Sequence, residues 1–218
     1  RFDFASLGRL AGMIRKHRID ILHSHELNGA FYACNAGVLA GVTQVNSWHI
    51  PPMESLKQNL RTRTIPWLTF RYYLWLMRFC RQVITVSMEL RDLIVSRGVP
   101  GDKVRFIPTA VDLEAYLPGE AVSREVRAEF GIPDDVTVIG TAGRMQRQKN
   151  LPLFVQTAKK LLDQGEKVKF MIVGDGTDRS IIEQTAAELG VTRDVLITGW
   201  RQDVPRVMQA FDIFALTS

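Results

Sequence analysis

From Val138 to Pro152 the chain reads Val-Ile-Gly-Thr-Ala-Gly-Arg-Met-Gln-Arg-Gln-Lys-Asn-Leu-Pro, an apolar run that passes through a basic loop into a segment of helical periodicity. Thr137 to Thr141 is short, β-branched and bounded by glycines, as expected of a strand buried on both faces, whereas Leu151, Phe154, Val155, Ala158, Leu161 and Leu162 recur at helical spacing. The loop therefore sits at a strand's C-terminal end. Asn150 is placed to cap the helix, Pro152 fits its first turn, and the unpaired N–H groups there favour an anion. Arg144 and Lys149 add two cations. Neither G-x-G-x-x-G nor G-x-x-x-x-G-K-[ST] occurs at this loop, so side-chain charge rather than a glycine cradle would hold a phosphate. The same residues also suit an ordinary basic βα turn.

The remainder of the chain repeats the alternation. A helix over Phe4 to His17 precedes a strand Ile19 to Ser24. A helix of small residues spans Asn28 to Gly41, and strand Gln44 to Ser47 follows. Strand Gln82 to Ser87, with Ser87 as N-cap of a helix Met88 to Arg97, and strand Lys103 to Pro108 complete a first domain, 1–118. The second, 119–218, begins with a short helix Ser123 to Phe130. After the opening strand and helix come strand Val168 to Val173, helix Asp178 to Leu189, strand Val195 to Ile197, helix Val204 to Ala210 and strand Ile213 to Leu216. Two α/β units in series are implied. His25, just past its strand, is placed to face a substrate while His23 alternates with it, and His49 begins a loop at the next strand end. Satisfied hydrogen-bonding histidines would give the same pattern.

Charge separates the halves. Residues 1–110 hold 15 Lys/Arg against 7 Asp/Glu, and 111–218 hold 13 against 16. Much of the excess lies between Lys57 and Arg81, where Lys57, Arg61, Arg63, Arg71, Arg78 and Arg81 are interleaved with Trp67, Phe70, Tyr72, Tyr73, Trp75 and Phe79 without an acidic residue. A helix there would group Arg71, Arg78 and Arg81. It suits an anionic bilayer surface, or a core helix with a solvated arginine stripe; no nucleic-acid recognition motif is present. Cys34 and Cys80 lie in apolar contexts without a C-x-x-C pair, which points to buried packing and a reducing, cytoplasmic compartment. No signal peptide and no run of 18 apolar residues argues for a membrane span. Both chain ends read as cut from a longer protein.

Six motifs in order resemble the retaining, sugar-nucleotide-dependent glycosyltransferases of family 4. They are His23-Ser-His25, Val83-Ile-Thr-Val-Ser87, the hinge Lys103-Val-Arg-Phe-Ile-Pro-Thr-Ala-Val-Asp112, Gly143-Arg-Met-Gln-Arg-Gln-Lys-Asn150, Val173-Gly-Asp-Gly176 and Ile197-Thr-Gly199. The resemblance implies an α/β, GT-B-like fold of two Rossmann-like domains with parallel sheets, both truncated. The family's glycine-rich loop would precede Arg1, and its acidic E-x-x-x-x-x-x-x-E segment would begin beyond Ser218.

It also implies roles. Arg144 and Lys149 would bind the donor diphosphate and stabilise the departing nucleoside diphosphate without a metal, and no D-x-D occurs in the chain. His25 would contact the donor sugar. Gly143, Gly174, Asp175, Gly199, Trp200 and Arg201 would line the nucleotide pocket, and Asp112 would be structural. The expected reaction moves a hexose, with retention, from a nucleoside-diphosphate sugar to a glycan or lipid-linked acceptor, such as an envelope polysaccharide or lipopolysaccharide precursor. No separate cofactor is implied. An epimerase of the same fold, or a non-catalytic membrane-docking module, are the alternatives. At the hinge, Thr109 and Ala110 replace the family's usual Asn and Gly, and Ala110 would resist a positive φ.

Overall fold

A computed structural model describes residues 4–49 and 64–218; Lys57, Arg61 and Arg63 lie outside them. The chain divides into two compact units, Arg1–Ala110 and Val111–Ser218. The boundary precedes the expected 118/119 because the single turn Glu114–Tyr116 packs with the second unit.

In the first unit, α1 (Phe4–Lys16), β1 (Ile21–His25), α2 (Glu26–Ala40), β2 (Thr43–Trp48), α3 (Thr64–Met77), β3 (Gln82–Thr85), α4 (Met88–Ser96) and β4 (Val104–Phe106) follow one another. The strands are parallel and stand in sequence order, β1-β2-β3-β4. Right-handed crossovers that always step the same way put their helices on one face. The core there joins Phe31 and Cys34 of α2, Phe70, Tyr73 and Met77 of α3, and Leu90 and Ile94 of α4 to Trp48, Cys80 and Val83. Ser87 caps α4 as expected, its Oγ accepting from Leu90 N at 3.1 Å. Cys34 and Cys80 are free and buried, yet their Sγ atoms lie 3.4 Å apart. The expected helix over 57–81 is α3 where it is described. It ends at Met77; Arg78 still lines a hollow with Arg71, whereas Arg81 lies beyond the helix, its backbone N–H donating to Gln44 O. Among the described residues no helix is long and apolar enough to cross a membrane.

The second unit contains α5 (Glu120–Glu129), β5 (Thr137–Ala142), α6 (Leu151–Asp163), β6 (Val168–Val173), α7 (Arg179–Glu188), β7 (Val195–Gly199), α8 (Val204–Met208) and β8 (Ile213–Phe214). Its parallel sheet has the order β7-β6-β5-β8. Period-two alternation explains why helices cover both faces: Phe170 and Ile172 pack with Phe154, Val155 and Ile182, whereas Met171 and Val173 pack with Val126 and Val207. Buried Arg127 of α5 donates to Asp212 Oδ2 at 2.7 Å, and the same oxygen accepts from Val138 N at 2.7 Å. The chain steps from β5 to β6 to β7, then returns to place β8 on the other side of β5. That reversal is a topological switch point, and it opens a crevice at the carboxyl ends of β5 and β8.

The hinge residues Thr109 and Ala110 need no strained backbone. Positive φ at a described non-glycine residue is confined to Arg18, Glu26 and Asn150.

Candidate functional site

The switch-point crevice is where the basic loop falls. A cavity of about 690 Å³ lies within the second unit, and Gly143, Arg144, Gly174, Asp175, Trp200 and Arg201 are in its wall. Its size suits a small-molecule ligand. Tyr116, Met208 and Phe214 add an apolar lining. Lys149 opens onto an adjoining hollow that shares Gly143 and Arg144 and is closed by Thr217 and Ser218. Thr217 Oγ1 donates to Lys149 O at 2.8 Å, which fixes the backbone that carries the ammonium. Arg144 is exposed and Lys149 half-buried. Among the described residues, neither side chain has a hydrogen-bond or ion-pair partner.

The glycine turns are backbone seams. Gly143 N donates to Val173 O at 2.9 Å, Met145 N to Asp175 O at 2.9 Å, and Gly174 N to Gly199 O at 3.0 Å. A Cβ on Gly174, where φ is +140°, would lie 2.1 Å from Gly143 O, and one on Gly176 would lie 2.2 Å from Met145 O. Glycine is therefore required for three loops to meet at the sheet end. Gly199 forms part of this seam rather than the cavity wall. The Asp175 carboxylate steadies the turn, accepting from Gly176 N at 2.8 Å and Arg179 Nη1 at 3.2 Å.

Asn150 differs from expectation. It adopts αL (φ 46°, ψ 43°) and gives α6 no side-chain cap. The loop must reverse sharply after the turn Arg147–Lys149, and a left-handed residue achieves that where an extended N-cap would not. Pro152 does occupy the first turn of α6. Arg201 lines the cavity, but its guanidinium is committed elsewhere: Nε and Nη2 grip Asp203 at 2.7 Å each, and Nη1 reaches Glu129 at 2.9 Å. Those two hydrogen bonds hold the Asp203 carboxyl down at about 2. Arg206 joins Glu129 at 2.8 Å. Trp200 stands clear at the mouth, 71% exposed. Asp203, two residues on, is the local sign that Arg201 is an ion-pair member; Glu129, on α5, is the partner that the local sequence does not show.

In the first unit, His25 ends β1 rather than following it. Residues i and i+2 of a strand share a face, so His23 and His25 lie side by side, ring centroids 4.5 Å apart, instead of alternating. His49, just after β2, joins them: His25 Nδ1 and His49 Nε2 are 2.9 Å apart, and His23 Nε2 is 2.8 Å from Ser47 Oγ. His49 N donates to Glu26 Oε1 at 3.0 Å. That contact helps to hold Glu26 at φ +60°, a strained conformation for this residue type. Desolvation, then the fields of His25 and His49, lowers the His23 pKa. The cluster is an imidazole pair with a third ring beside it, at the strand ends where parallel sheets present ligand-binding groups. Asp112 caps its own turn, its Oδ1 accepting from Glu114 N at 3.1 Å.

Comparison with known proteins gives a consistent picture. Residues 1–115 match Glycosyltransferase Family 4, and residues 136–218 match Glycosyl transferases group 1. The Escherichia coli UDP-Gal:alpha-D-GlcNAc-diphosphoundecaprenol alpha-1,3-galactosyltransferase is 28% identical over 223 residues, covering 99% of this chain and 56% of that protein. The 2-deoxystreptamine glucosyltransferase of Streptomyces kanamyceticus is 27% identical over 224 residues, covering 98% and 57%. The chain thus spans just over half the length of these relatives. Among solved structures, Anabaena HepE in complex with UDP and glucose superposes with a TM-score of 0.78 at 21% identity, over 100% of this chain and 59% of that one. Sucrose-phosphate synthase from Thermosynechococcus elongatus gives 0.75 at 15%, over 95% and 52%.

Proposed function

Because this chain belongs to glycosyltransferase family 4, we propose that the protein it represents transfers a hexose from a nucleoside diphosphate to a glycan or lipid-linked acceptor, with retention at the anomeric carbon. One observation carries the reading: Arg144 and Lys149, two cations without protein partners, stand at the carboxyl end of β5 beside the glycine seam. A diphosphate placed there meets both charges, and the negative charge that grows on the leaving group is stabilised where it develops. The cations supply this electrostatic role themselves, so the proposal includes no metal. Trp200 offers an exposed ring on which a base can stack, and the tethered Arg201 walls the pocket without adding free charge. His25, oriented by its hydrogen bond to His49, contacts the donor sugar.

Epimerisation would need a carboxylate acid/base pair at the cavity. The carboxylates nearby, Asp175 and Asp203, are ion-paired with Arg179 and Arg201. The name of the Escherichia coli relative pairs a UDP-sugar with a diphosphoundecaprenol acceptor. With the basic first unit, this supports a lipid-linked acceptor and action at the cytoplasmic face of an anionic membrane. The test is sugar transfer, and donor hydrolysis, by the full-length protein and its Lys149→Ala variant. A fall of about 100-fold or more is expected; unchanged turnover would refute the diphosphate assignment.

A further inference from the structure

Away from the crevice, the first unit sets two nucleophilic side chains against each other. Cys34 lies in the middle of α2, and Cys80 lies in the turn 78–81 that joins α3 to β3; they are 46 residues apart in sequence, and their Sγ atoms are 3.4 Å apart. Both are buried in one core with Phe31, Trp48 and Met77. Packing alone asks only for small apolar groups there, whereas two thiols in hydrogen-bond contact are also a dithiol. A disulfide is about 2.05 Å long, so closure asks for an approach of about 1.4 Å, which small torsional changes at two side chains and one turn can supply.

The surroundings distinguish the two sulfurs. The hydrogen bond between them, helped by the field of Lys103, lowers the Cys80 pKa against the opposing effect of burial; the same hydrogen bond, together with burial, raises that of Cys34. Lys103 is held at the turn by its Nζ, which donates to Arg78 O. Cys80 is therefore the sulfur that attacks, and Cys34 the one that resolves. The turn is also the lighter of the two attachments. Cys80 N donates to Met77 O at 3.2 Å, Arg81 N donates to Gln44 O at 2.8 Å, and Phe79 beside them is 48% exposed, whereas Cys34 is inside a helix of 15 residues. Local opening of such a turn admits a small oxidant without global unfolding.

We propose that Cys34 and Cys80 form a reversible disulfide that, when closed, fixes α2 to the α3–β3 turn. The oxidant is a low-molecular-weight disulfide, RSSR, such as oxidised glutathione. The Cys80 thiolate attacks one sulfur of RSSR, giving a Cys80–SR mixed disulfide and releasing one RS⁻; the Cys34 thiol then loses its proton, its sulfur displaces the second RS⁻, and the Cys34–Cys80 bond forms. The two protons given up by the cysteines leave with the two RS⁻ as RSH, so two protein thiols are oxidised and one RSSR is reduced. Excess thiol runs the sequence backwards. Because His25 is the N-cap of α2, closure restrains the helix that follows the histidine cluster. None of these steps involves the second unit or the transferase reading.

The test equilibrates the reduced full-length protein with glutathione buffers of rising disulfide content, quenches with iodoacetamide and maps the peptides by mass spectrometry. The expected product is a Cys34–Cys80 linked peptide pair from a single chain, lighter by the two thiol hydrogens and lost on adding dithiothreitol. Because the link closes a loop of 46 residues, oxidation should slow hydrogen exchange of the α2 and 78–81 amides roughly tenfold or more. Cys34→Ser should halt at the intermediate, with glutathione held on Cys80, and Cys80→Ser should take up glutathione roughly tenfold more slowly. Should either variant fail to fold, the wild-type peptide map and exchange rates still decide. Two free thiols after prolonged exposure to excess oxidised glutathione, a link between two molecules instead of within one, or unchanged exchange in the oxidised protein would overturn the switch. Equal uptake by the two serine variants would overturn Cys80 as the attacking sulfur.

Discussion

The two units use the same parallel βα repeat and treat charge in opposite ways. Around the second unit's sheet, basic groups are tied to carboxylates: Arg127 to Asp212, Lys169 to Asp194, Arg179 to Asp175 and Glu183, and Arg201 and Arg206 to Asp203 and Glu129. Arg144 and Lys149 are among the second unit's cations without a carboxylate partner, and of those they are the two that line the cavity and its adjoining hollow. In the first unit, with 15 basic and 7 acidic residues, Arg91 pairs with Asp92. Its basic excess is a property of its composition. A unit of nearly balanced charge can place two cations on one ligand, whereas a unit with a basic excess presents a positive field.

The sharpest break in this contrast would come at the reserved pair. Lys149→Ala and Arg144→Ala should each lower kcat/KM by roughly 100-fold or more, with melting temperatures close to wild type, since neither removes a side-chain hydrogen bond or ion pair. A large loss of stability with retained turnover would make them structural charges like their neighbours. Next in size is the seam beneath them. Gly174→Ala forces a Cβ to within 2.1 Å of Gly143 O at a φ of +140° and should destabilise the second unit by about 3 kcal/mol in urea unfolding, with donor affinity falling alongside.

Smaller effects separate the units by pH. The Asp203 carboxyl is lowered from 3.8 to about 2, so its pairing stabilises the second unit fully above pH 3.8 and ceases to do so as pH falls through 2. Solvent exposure keeps this below about 1 kcal/mol. Thermal melts of Asp203→Asn should lose the part of the acid transition that wild type shows in that window. His23 titrates elsewhere. Its folded pKa lies below the ordinary 6.5, so the unfolded chain binds more protons and the first unit weakens as pH drops below 6.5. His23→Gln should flatten that slope in melts between pH 7 and 5 while leaving the second unit's acid limb unchanged.

Much of the scaffold was legible in the sequence because each element carries its own local signal. The β-branched run at β5, the helical spacing from Leu151 to Leu162 and Ser87 before α4 all foretold what formed. The glycine seam was visible as short motifs, although its reason, three backbones within van der Waals contact, was not. What escaped depends on distant partners. The second arm of the Arg201 clamp requires Glu129, and the His25–His49 bond requires the register of β1 on β2. Asn150 escaped for a different reason: as a side chain it reads as a cap, and only the reversal of the loop selects its left-handed backbone.

The thiols of Cys34 and Cys80 offer a way to time events in one half of the chain. They are its only cysteines, and both lie in the first unit, at 1% and 0% exposure. A thiol reagent can reach them only when α2 or the α3–β3 turn lifts away, so the labelling rate at low reagent concentration reports how often that unit opens. A nucleotide sugar that binds the second unit alone leaves this clock running at its original rate. If the two units open as one, saturating donor slows the clock in proportion to [L]/Kd, and a spectrometer following the released chromophore would report their cooperativity directly.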